Sequence, residues 1–322
     1  MHTILSSASK TVRIGDDQPF AIIGERINPT GRKIFQQQLR QGDLSRVEID
    51  VKEQVDGGAM LLDVNMGTPL ADEAELMRQA VPLIQGLTDL PLVIDSSIIE
   101  VLDAGLAAYQ GKALVNSVTA EDERMEAILP IVKKYGAAVI GLPNDEEEIP
   151  EEPARRVELA RKLIHTATEK YKIPVEDIVI DPLAMPVGAD TSLVVKTMET
   201  IALLREEFGV NTTLGASNVS FGMPDRHAIG AAFLPMAITS GLTSAILDAR
   251  ASSDEAGTSL LSILILHFLH VPWPPQVESI AMPFQLAASN RETPGGTRTR
   301  RPAGRKCSST LAGAPVRWAA VA

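Results

Sequence analysis

The sequence predicts an α/β protein folded as a (β/α)8 TIM barrel. From Phe20 onward, short apolar runs alternate with longer amphipathic segments. This pattern is typical of parallel strands that are buried on both faces and connected by crossover helices. Eight strands alternate strictly with eight helices, which favours a closed barrel. The predicted strands are 20–27, 60–66, 90–95, 112–118, 137–142, 178–183, 211–216 and 243–248.

Glycines mark the ends of several predicted helices. Gly136, Gly209 and Gly241 each stand just before a strand, where a left-handed C-cap suits glycine, and the pair at 57–58 closes the first helical region. The mixed charges of 151–172 are interpreted as a solvated helix face. The predicted helices are 33–56, 72–86, 98–110, 122–136, 153–172, 190–208, 226–240 and 254–268.

The chain divides into three predicted parts. Residues 1–19 form an N-terminal extension, and residues 20–270 form the barrel. Residues 271–322 contain seven prolines, seven Lys or Arg and two Glu, with no helical or strand periodicity. Such a segment has too little apolar surface to offset the entropy of ordering, so we expect a disordered tail.

Charge and cysteine content limit the possible partners and the compartment. The net charge of −11 argues against nucleic-acid binding, which depends on Lys and Arg neutralising phosphates. Cys307 is the single cysteine, so the sequence offers no intrachain disulfide and no cysteine cluster for zinc. Residues 1–18 lack the apolar core of a signal peptide, and no apolar run is long enough to span a membrane. These features predict a cytoplasmic protein.

Polar residues follow the apolar core of most predicted strands. In a barrel the carboxyl ends of the strands surround one mouth, where active sites lie. Asp and Asn also cap helices and form turns, and that alternative applies most directly to Asp95, which precedes the third helix. So many polar strand ends nevertheless favour one shared pocket, formed by Glu25, Asn28, Asp63, Asn65, Asp95, Asn116, Asp181, Asn218 and Asp248.

The residue types at this mouth favour a neutral heterocycle with several N–H donors, because a carboxylate accepts two parallel hydrogen bonds from adjacent N–H groups. A phosphate site is not indicated, since no glycine-rich loop leads to Lys and Ser or Thr. Metal-dependent hydrolysis is the competing interpretation. We predict no metal, because catalytic zinc sites commonly use histidine and no paired spacing occurs among His2, His165, His227, His267 and His270.

Several short motifs in order resemble the methyltetrahydrofolate–corrinoid methyltransferases, including those that act with a corrinoid iron–sulfur protein. Their pterin-binding barrel is related to the folate domain of cobalamin-dependent methionine synthase and to dihydropteroate synthase. The resemblance covers about 21–249. Its motifs are IGERIN at 23–28, LDVNMG at 62–67, IDS at 94–96, VNS at 115–117, IDPL at 180–183 and LGASNVS at 214–220.

The resemblance implies that Asp95, Asn116 and Asp181 hold the pterin ring of methyltetrahydrofolate. Asn218 is the implied catalytic residue, which reaches the N5 atom that carries the methyl group. Arg226 matches a position near the folate and the corrinoid. Glu25, Asn28, Asp63, Asn65, Gly215 and Ser217 complete the implied substrate-binding set. The implied methyl acceptor is a cobalamin or other corrinoid carried by a partner protein, and the implied assembly is a homodimer.

The sequence departs from the family at Phe221, where members often carry a polar residue, and this affects the expected hydrogen bonds around N5. Two alternative functions also remain open at the level of sequence. A synthase related to dihydropteroate synthase is one alternative, although 28–33 lacks the Asp-Ser-Phe found after the first strand of that family. A noncatalytic pterin-binding barrel is the other.

Overall fold

Eight parallel strands form the barrel in the computed structural model, which describes residues 1–147 and 149–252. Each strand pairs with its neighbour along the chain, and the last pairs with the first. The ring is completed by the Ile246 N–H, which donates to the Leu214 carbonyl over 2.9 Å. The predicted barrel is therefore confirmed. Its strands are β3 (Ala21–Ile27), β4 (Leu61–Asn65), β5 (Leu92–Asp95), β6 (Leu114–Thr119), β7 (Ala138–Leu142), β8 (Ile178–Ile180), β9 (Asn211–Thr212) and β10 (Ser244–Leu247).

The helices follow the predicted order with one correction. The region 33–56 holds two helices, because Gly42 adopts a left-handed φ of 72° and the Asp43 carboxylate accepts from the Ser45 N–H at the start of the second. The predicted helix 254–268 and tail 271–322 lie outside the described residues. The described α-helices are α1 (Lys33–Arg40), α2 (Ser45–Asp56), α3 (Glu73–Leu87), α4 (Ile99–Ala108), α5 (Asp122–Tyr135), α6 (Pro153–His165), α7 (Ser192–Phe208) and α8 (Arg226–Ser240).

The N-terminal extension contains two strands that sequence reasoning missed. β1 (Thr3–Ser6) and β2 (Thr11–Ile14) form an antiparallel hairpin. Leu5, Val12 and Ile14 are buried in the same apolar cluster as the barrel interior. The hairpin thus closes the amino-terminal end of the barrel, which otherwise would expose this apolar surface to water.

A second apolar layer fills the space between the sheet and its surrounding helices. It includes Leu62, Ile94 and Val115 from the strands, together with Met77 and Leu129 from the helices. Gly136, Gly209 and Gly241 end their helices in left-handed conformations, as predicted. Within the part of the chain that the structure describes, no helix is both long and apolar enough to cross a bilayer.

Candidate active site

Strand periodicity explains why the polar residues enter the barrel. Side chains alternate between the two faces of a strand, so residues two apart share a face. Ile23, Leu61, Val93, Leu114 and Val179 belong to the apolar cluster inside the barrel. The residues two positions later on the same strands form a polar layer at the carboxyl end: Glu25, Asp63, Asp95, Asn116 and Asp181.

Register places these residues beside one another. Glu25 is paired with Asp63, Asn65 with Asp95, and Asp95 with Asn116. The Asn65 amide donates to Oδ2 of Asp95 over 2.8 Å, and the Asn116 amide donates to Oδ1 of Asp63 over 3.2 Å. Asp63 and Asp95 are almost wholly buried. Two carboxyl groups and two amides from three adjacent strands therefore form one cluster.

The pKa values of the two buried carboxyl groups are both raised. Loss of water raises the pKa of Asp63 well above its ordinary value, and the nearby charges of Asp95 and Glu25 raise it further. Burial also raises the pKa of Asp95, to about 7, while hydrogen bonds from Asn65 and Asp63 partly oppose that rise. Oδ1 of Asp95 has no fixed N–H or O–H donor among the described residues. A proton kept on Asp63 by its raised pKa would be available to that carboxylate in the ligand-free protein.

Glu25 and Asn28 extend the cluster along β3 and the loop that follows it. Burial raises the pKa of Glu25, and the Asn28 amide, which donates to its carboxylate over 3.3 Å, opposes this. The Asn28 side-chain oxygen accepts from the Thr30 N–H over 2.9 Å. Asn28 therefore fixes the loop and one side of the Glu25 carboxylate together.

Asp181 lies after β8 and forms part of a tight turn. Its Oδ1 accepts from the Leu183 N–H over 2.7 Å, and the Gly215 N–H also stabilises the carboxylate. Burial nevertheless raises the pKa of Asp181 to about 6. One oxygen of Asp181 therefore stabilises a turn, which is the alternative role that the sequence allowed for Asp residues at strand ends. Helix α7 begins only at Ser192, so Asp181 caps no helix.

The capping alternative is wrong for Asp95. The residue before α4 is Ile98, and no side chain caps that helix end. The Ser96 hydroxyl instead accepts from the Ile98 N–H over 3.0 Å. Oδ2 of Asp95 is bound to Asn65 within the barrel.

The chain after β9 forms a short 3₁₀ turn, Ala216–Ser220, at the rim of the mouth. Ser217 and Asn218 are exposed there, and the Asn218 amide lies against Gly215, where a Cβ would approach Nδ2 to 2.9 Å. Arg226 donates to the Ser217 carbonyl over 2.8 Å and to the Ser220 hydroxyl over 3.2 Å. The guanidinium of Arg226 thus fixes the turn that carries Asn218.

Two residues differ from the sequence interpretation. Asp248 was predicted to line the shared pocket. It follows β10 directly, and its carboxylate accepts hydrogen bonds from the side chains of Gln54 and Arg250. Arg156 is completely buried, so the solvated-face interpretation of 151–172 is wrong at this position. A signal existed, because Arg156 lies on the stripe of α6 that also contains Val157, Ala160 and Leu163.

The chemistry of the layer suits recognition of N–H donors. It combines carboxylate and amide oxygens inside an apolar barrel, where hydrogen bonds are stronger than in water. In the described ranges, no group of three or more His, Cys, Asp or Glu has an arrangement that would hold a metal ion. A cleft of about 480 Å³ lies at the opposite end of the barrel, beside Val12 of the hairpin and Met60, which directly precedes β4.

Comparisons with known proteins agree with this architecture. Residues 24–248 match a family described as pterin binding enzyme. The chain is 31% identical to the methionine synthase of Mycobacterium leprae (strain TN) and 32% identical to that of Mycobacterium tuberculosis (strain ATCC 25618 / H37Rv). Each alignment covers 257 residues, 76% of this chain. The chain spans about a fifth of the length of these curated relatives, 21% and 22%.

Solved structures show the same fold. A dihydropteroate synthase from Xanthomonas albilineans has a TM-score of 0.63 and 21% identity, and the match covers 84% of this chain and all of that one. The synthase from Thermus thermophilus has a TM-score of 0.58 and 17% identity, with 83% and 100% covered. The family match spans seven of the eight barrel strands in full and β3 from Gly24 onward. This chain therefore belongs to the family of pterin binding enzymes.

Proposed function

We propose that this chain moves the N5 methyl group between methyltetrahydrofolate and the Co(I) corrinoid of a partner protein. The observation that carries the proposal is the polar layer in which buried Asp63, Asn65 and Asp95 meet the half-buried Asn116, with Asp181 beside it. The identity with methionine synthases over 257 residues supports a folate rather than another pterin as the substrate.

The polar layer fits the pterin ring. A pterin presents an amino group and ring N–H groups along one edge, which are donors for carboxylate and amide oxygens. Oδ1 of Asp95 is a buried acceptor without a fixed donor among the described residues, and burying such an atom is costly unless a partner arrives. We assign Asp95, Asn116 and Asp181 to ring recognition, with Asp63 and Asn65 holding Asp95 in place.

Methyl transfer requires help at N5, because a tertiary amine is a poor leaving group. As the N5–CH₃ bond breaks, its electron pair stays on N5, and a hydrogen bond to N5 strengthens in the transition state. Asn218 is exposed at the mouth and carries a suitable amide donor. The Co(I) corrinoid supplies the nucleophile on the partner's side. The share of this chain is orientation and electrostatic stabilisation.

The remaining residues surround this reaction centre. In the proposal, Glu25 and Asn28 contact the folate from the β3 side, while Gly215 and Ser217 line its path beside Asn218. Arg226 acts through the turn, since it holds the carbonyl of Ser217. A cytoplasmic homodimer is part of the same proposal, and sedimentation equilibrium would measure the assembly.

Rapid mixing of protein, methyltetrahydrofolate and reduced cobalamin tests the proposal. We expect spectral conversion of Co(I) to methylcobalamin, and at least a tenfold loss of folate affinity in Asp181→Asn, which loses charge-assisted hydrogen bonds worth about 1.5 to 3 kcal/mol each. Asp103→Asn is the matched control, because Asp103 is a surface carboxylate bound to Lys134.

The same preparation separates the two alternatives. Condensation of a dihydropterin pyrophosphate with p-aminobenzoate, without methyl transfer, would identify a synthase. Tight folate binding without either reaction would identify a noncatalytic barrel. Absence of both folate binding and the condensation reaction in the wild-type protein would overturn all three functions.

A further inference from the structure

Arg156 is a completely buried arginine that the proposed reaction does not use. It lies in α6, outside the barrel strands, and among the residues that the structure describes its guanidinium donates to three backbone carbonyls. Nε donates to Pro150 over 2.7 Å, and Nη1 donates to Pro182 over 2.7 Å and to Leu183 over 2.9 Å. Nη2 is buried and has no hydrogen-bond partner among the described residues. A guanidinium is costly to bury in this way, so its position needs a reason.

Two of those carbonyls belong to the turn that carries Asp181. Leu183 has a left-handed φ of 63°, which is unfavourable for a residue with a side chain. Its N–H donates to the Asp181 carboxylate over 2.7 Å. Arg156 donates to two successive carbonyls, those of Pro182 and Leu183, and the Thr197 hydroxyl makes a weaker contact with the Leu183 carbonyl over 3.3 Å. The guanidinium therefore holds the turn in the conformation that orients Asp181.

The charge of Arg156 acts on the same carboxylate. Burial lowers the pKa of Arg156, while the negative charges of Asp181, Glu151 and Glu152 oppose that change. The two glutamates are also neutralised by Lys196, at 3.7 Å from Glu151 and 2.8 Å from Glu152. On the same helix, Arg155 is paired with Asp145 and Glu158. Among these acidic groups, Asp181 has the largest electrostatic effect on Arg156.

We propose that Arg156 is a positioning residue for the pterin site, which holds the turn that carries Asp181 by binding the Pro182 and Leu183 carbonyls. The pterin role of Asp181 rests on the proposed function, but the effect of Arg156 on Asp181 does not. Burial is the largest influence on Asp181 and raises its pKa to about 6, whereas N–H groups of Leu183 and Gly215 and the charge of Arg156 lower it. Without Arg156 the carboxylate would protonate at a higher pH.

Carbon-13 NMR of protein labelled at the aspartate carboxyl carbons measures this directly. The signal that Asp181→Asn removes identifies Asp181, and its titration is followed in ligand-free wild type and variants. We expect a midpoint near pH 6 in the wild type. Arg156→Met should raise it, since the charge of Arg156 and the Leu183 N–H in the turn that Arg156 holds both lower the pKa of Asp181. Arg156→Lys, which retains the charge, should restore most of the wild-type value.

Thr197→Val is the matched control, because it removes a neutral contact to the same Leu183 carbonyl and leaves the charge. Its midpoint should stay close to that of the wild type. An unchanged midpoint in folded Arg156→Met, or an equal rise in Thr197→Val, would overturn the proposal. Arg156→Gln, which retains a donor, serves as the neutral variant if the methionine variant does not fold.

A second measurement links the effect to the ligand. Calorimetric titration with methyltetrahydrofolate between pH 5 and 8 should show affinity falling at low pH, with the fall moved to higher pH in the neutral variant. A wild-type protein that binds no folate would refute the proposed function, while the NMR titration would still decide the role of Arg156.

Discussion

Asn65 donates its side-chain amide to Asp95 over 2.8 Å, across the two neighbouring parallel strands in which these residues are register partners. The contact occupies Oδ2 and leaves Oδ1 for Asp63 or for a ligand. It also favours the charged form of Asp95, against the effect of burial. The relationship explains how a carboxylate is held ready for an N–H donor inside an apolar barrel.

Replacing Asn65 should therefore weaken binding through Asp95. Asn65→Ala removes a hydrogen bond that lowers the pKa of Asp95, so that pKa should rise above about 7 and less carboxylate should be present at neutral pH. The loss of one hydrogen bond to a charged group is worth about 1.5 to 3 kcal/mol, or roughly tenfold or more in folate affinity. Calorimetry at pH 7 measures it. Gln85→Ala, which removes an exposed amide of α3, is the control that should change nothing.

The buried pair predicts an unusual pH dependence of stability. Because the folded-state pKa values of Asp63 and Asp95 are raised, these groups stabilise the ligand-free protein below their unfolded pKa near 4, and that contribution is lost as pH rises through about 7. Asp63→Asn keeps a donor for Asp95 and cannot ionise. Relative to wild type, it should gain stability as the pH rises from 5 to 8, because the wild-type carboxyl group has a raised pKa and the amide does not titrate.

Denaturant unfolding at both pH values checks this prediction. Asp103→Asn should change stability about equally at both pH values, since hydrogen bonds from Lys134 and Tyr135 lower the pKa of Asp103 and the carboxylate is charged at both. A parallel pH profile for wild type and Asp63→Asn would show that the pKa of Asp63 is not raised in the folded protein.

Asn218→Ala tests the catalytic amide. If the amide stabilises N5 mainly in the transition state, its loss should lower the rate of methyl transfer by about 10² to 10³ with folate saturating, while folate affinity changes much less. Rapid mixing with reduced cobalamin and a separate binding titration distinguish the two quantities. Transfer at nearly the wild-type rate would rule the role out, and a joint loss of stability and binding would assign Asn218 to the turn.

Gly215→Ala perturbs the same amide without removing it. Gly215 has φ −68° and ψ 88°, so its φ lies outside the left-handed region that favours glycine, but the new Cβ would approach Nδ2 of Asn218 to 2.9 Å. We expect a displaced amide and a transfer rate at least tenfold lower, with little change in melting temperature. Gly230→Ala is the control, because a Cβ there meets no atom within 4 Å. Equal rates for the two alanine variants would contradict the prediction.

The N-terminal hairpin should contribute to barrel stability. Leu5→Ala empties a fully buried position beneath the barrel and should destabilise the protein by about 2 to 5 kcal/mol. Ile4→Ala, next to it on the same strand, removes a side chain that is 43% exposed and should cost far less. Thermal or denaturant unfolding of both variants makes the comparison. Similar losses of unfolding free energy in the two variants would show that burial of the hairpin against the barrel does not stabilise the protein.

The sequence by itself determined the barrel and the positions of its polar ends. Apolar runs are too short and too regularly spaced for another arrangement, and a period of two fixes which residues face inward. Glu25, Asp63, Asp95, Asn116 and Asp181 follow inward-facing apolar residues at that period. Their common location could therefore be predicted. The hairpin was missed because its strands, of four residues each, gain their burial from contacts with distant strands.

Tertiary structure decided the partners and charges of those residues. Asn65 and Asp95 are 30 residues apart, and only the register of β4 and β5 brings their side chains together. Whether a carboxyl group is ionised depends on the water it loses and on neighbours supplied by other strands, neither of which local sequence specifies. Arg156 shows most clearly how tertiary structure decides the environment of a residue. Its helix has a charged composition, yet packing against the Asp181 turn buries it completely, because the carbonyls it binds become available only when α6 lies beside that turn.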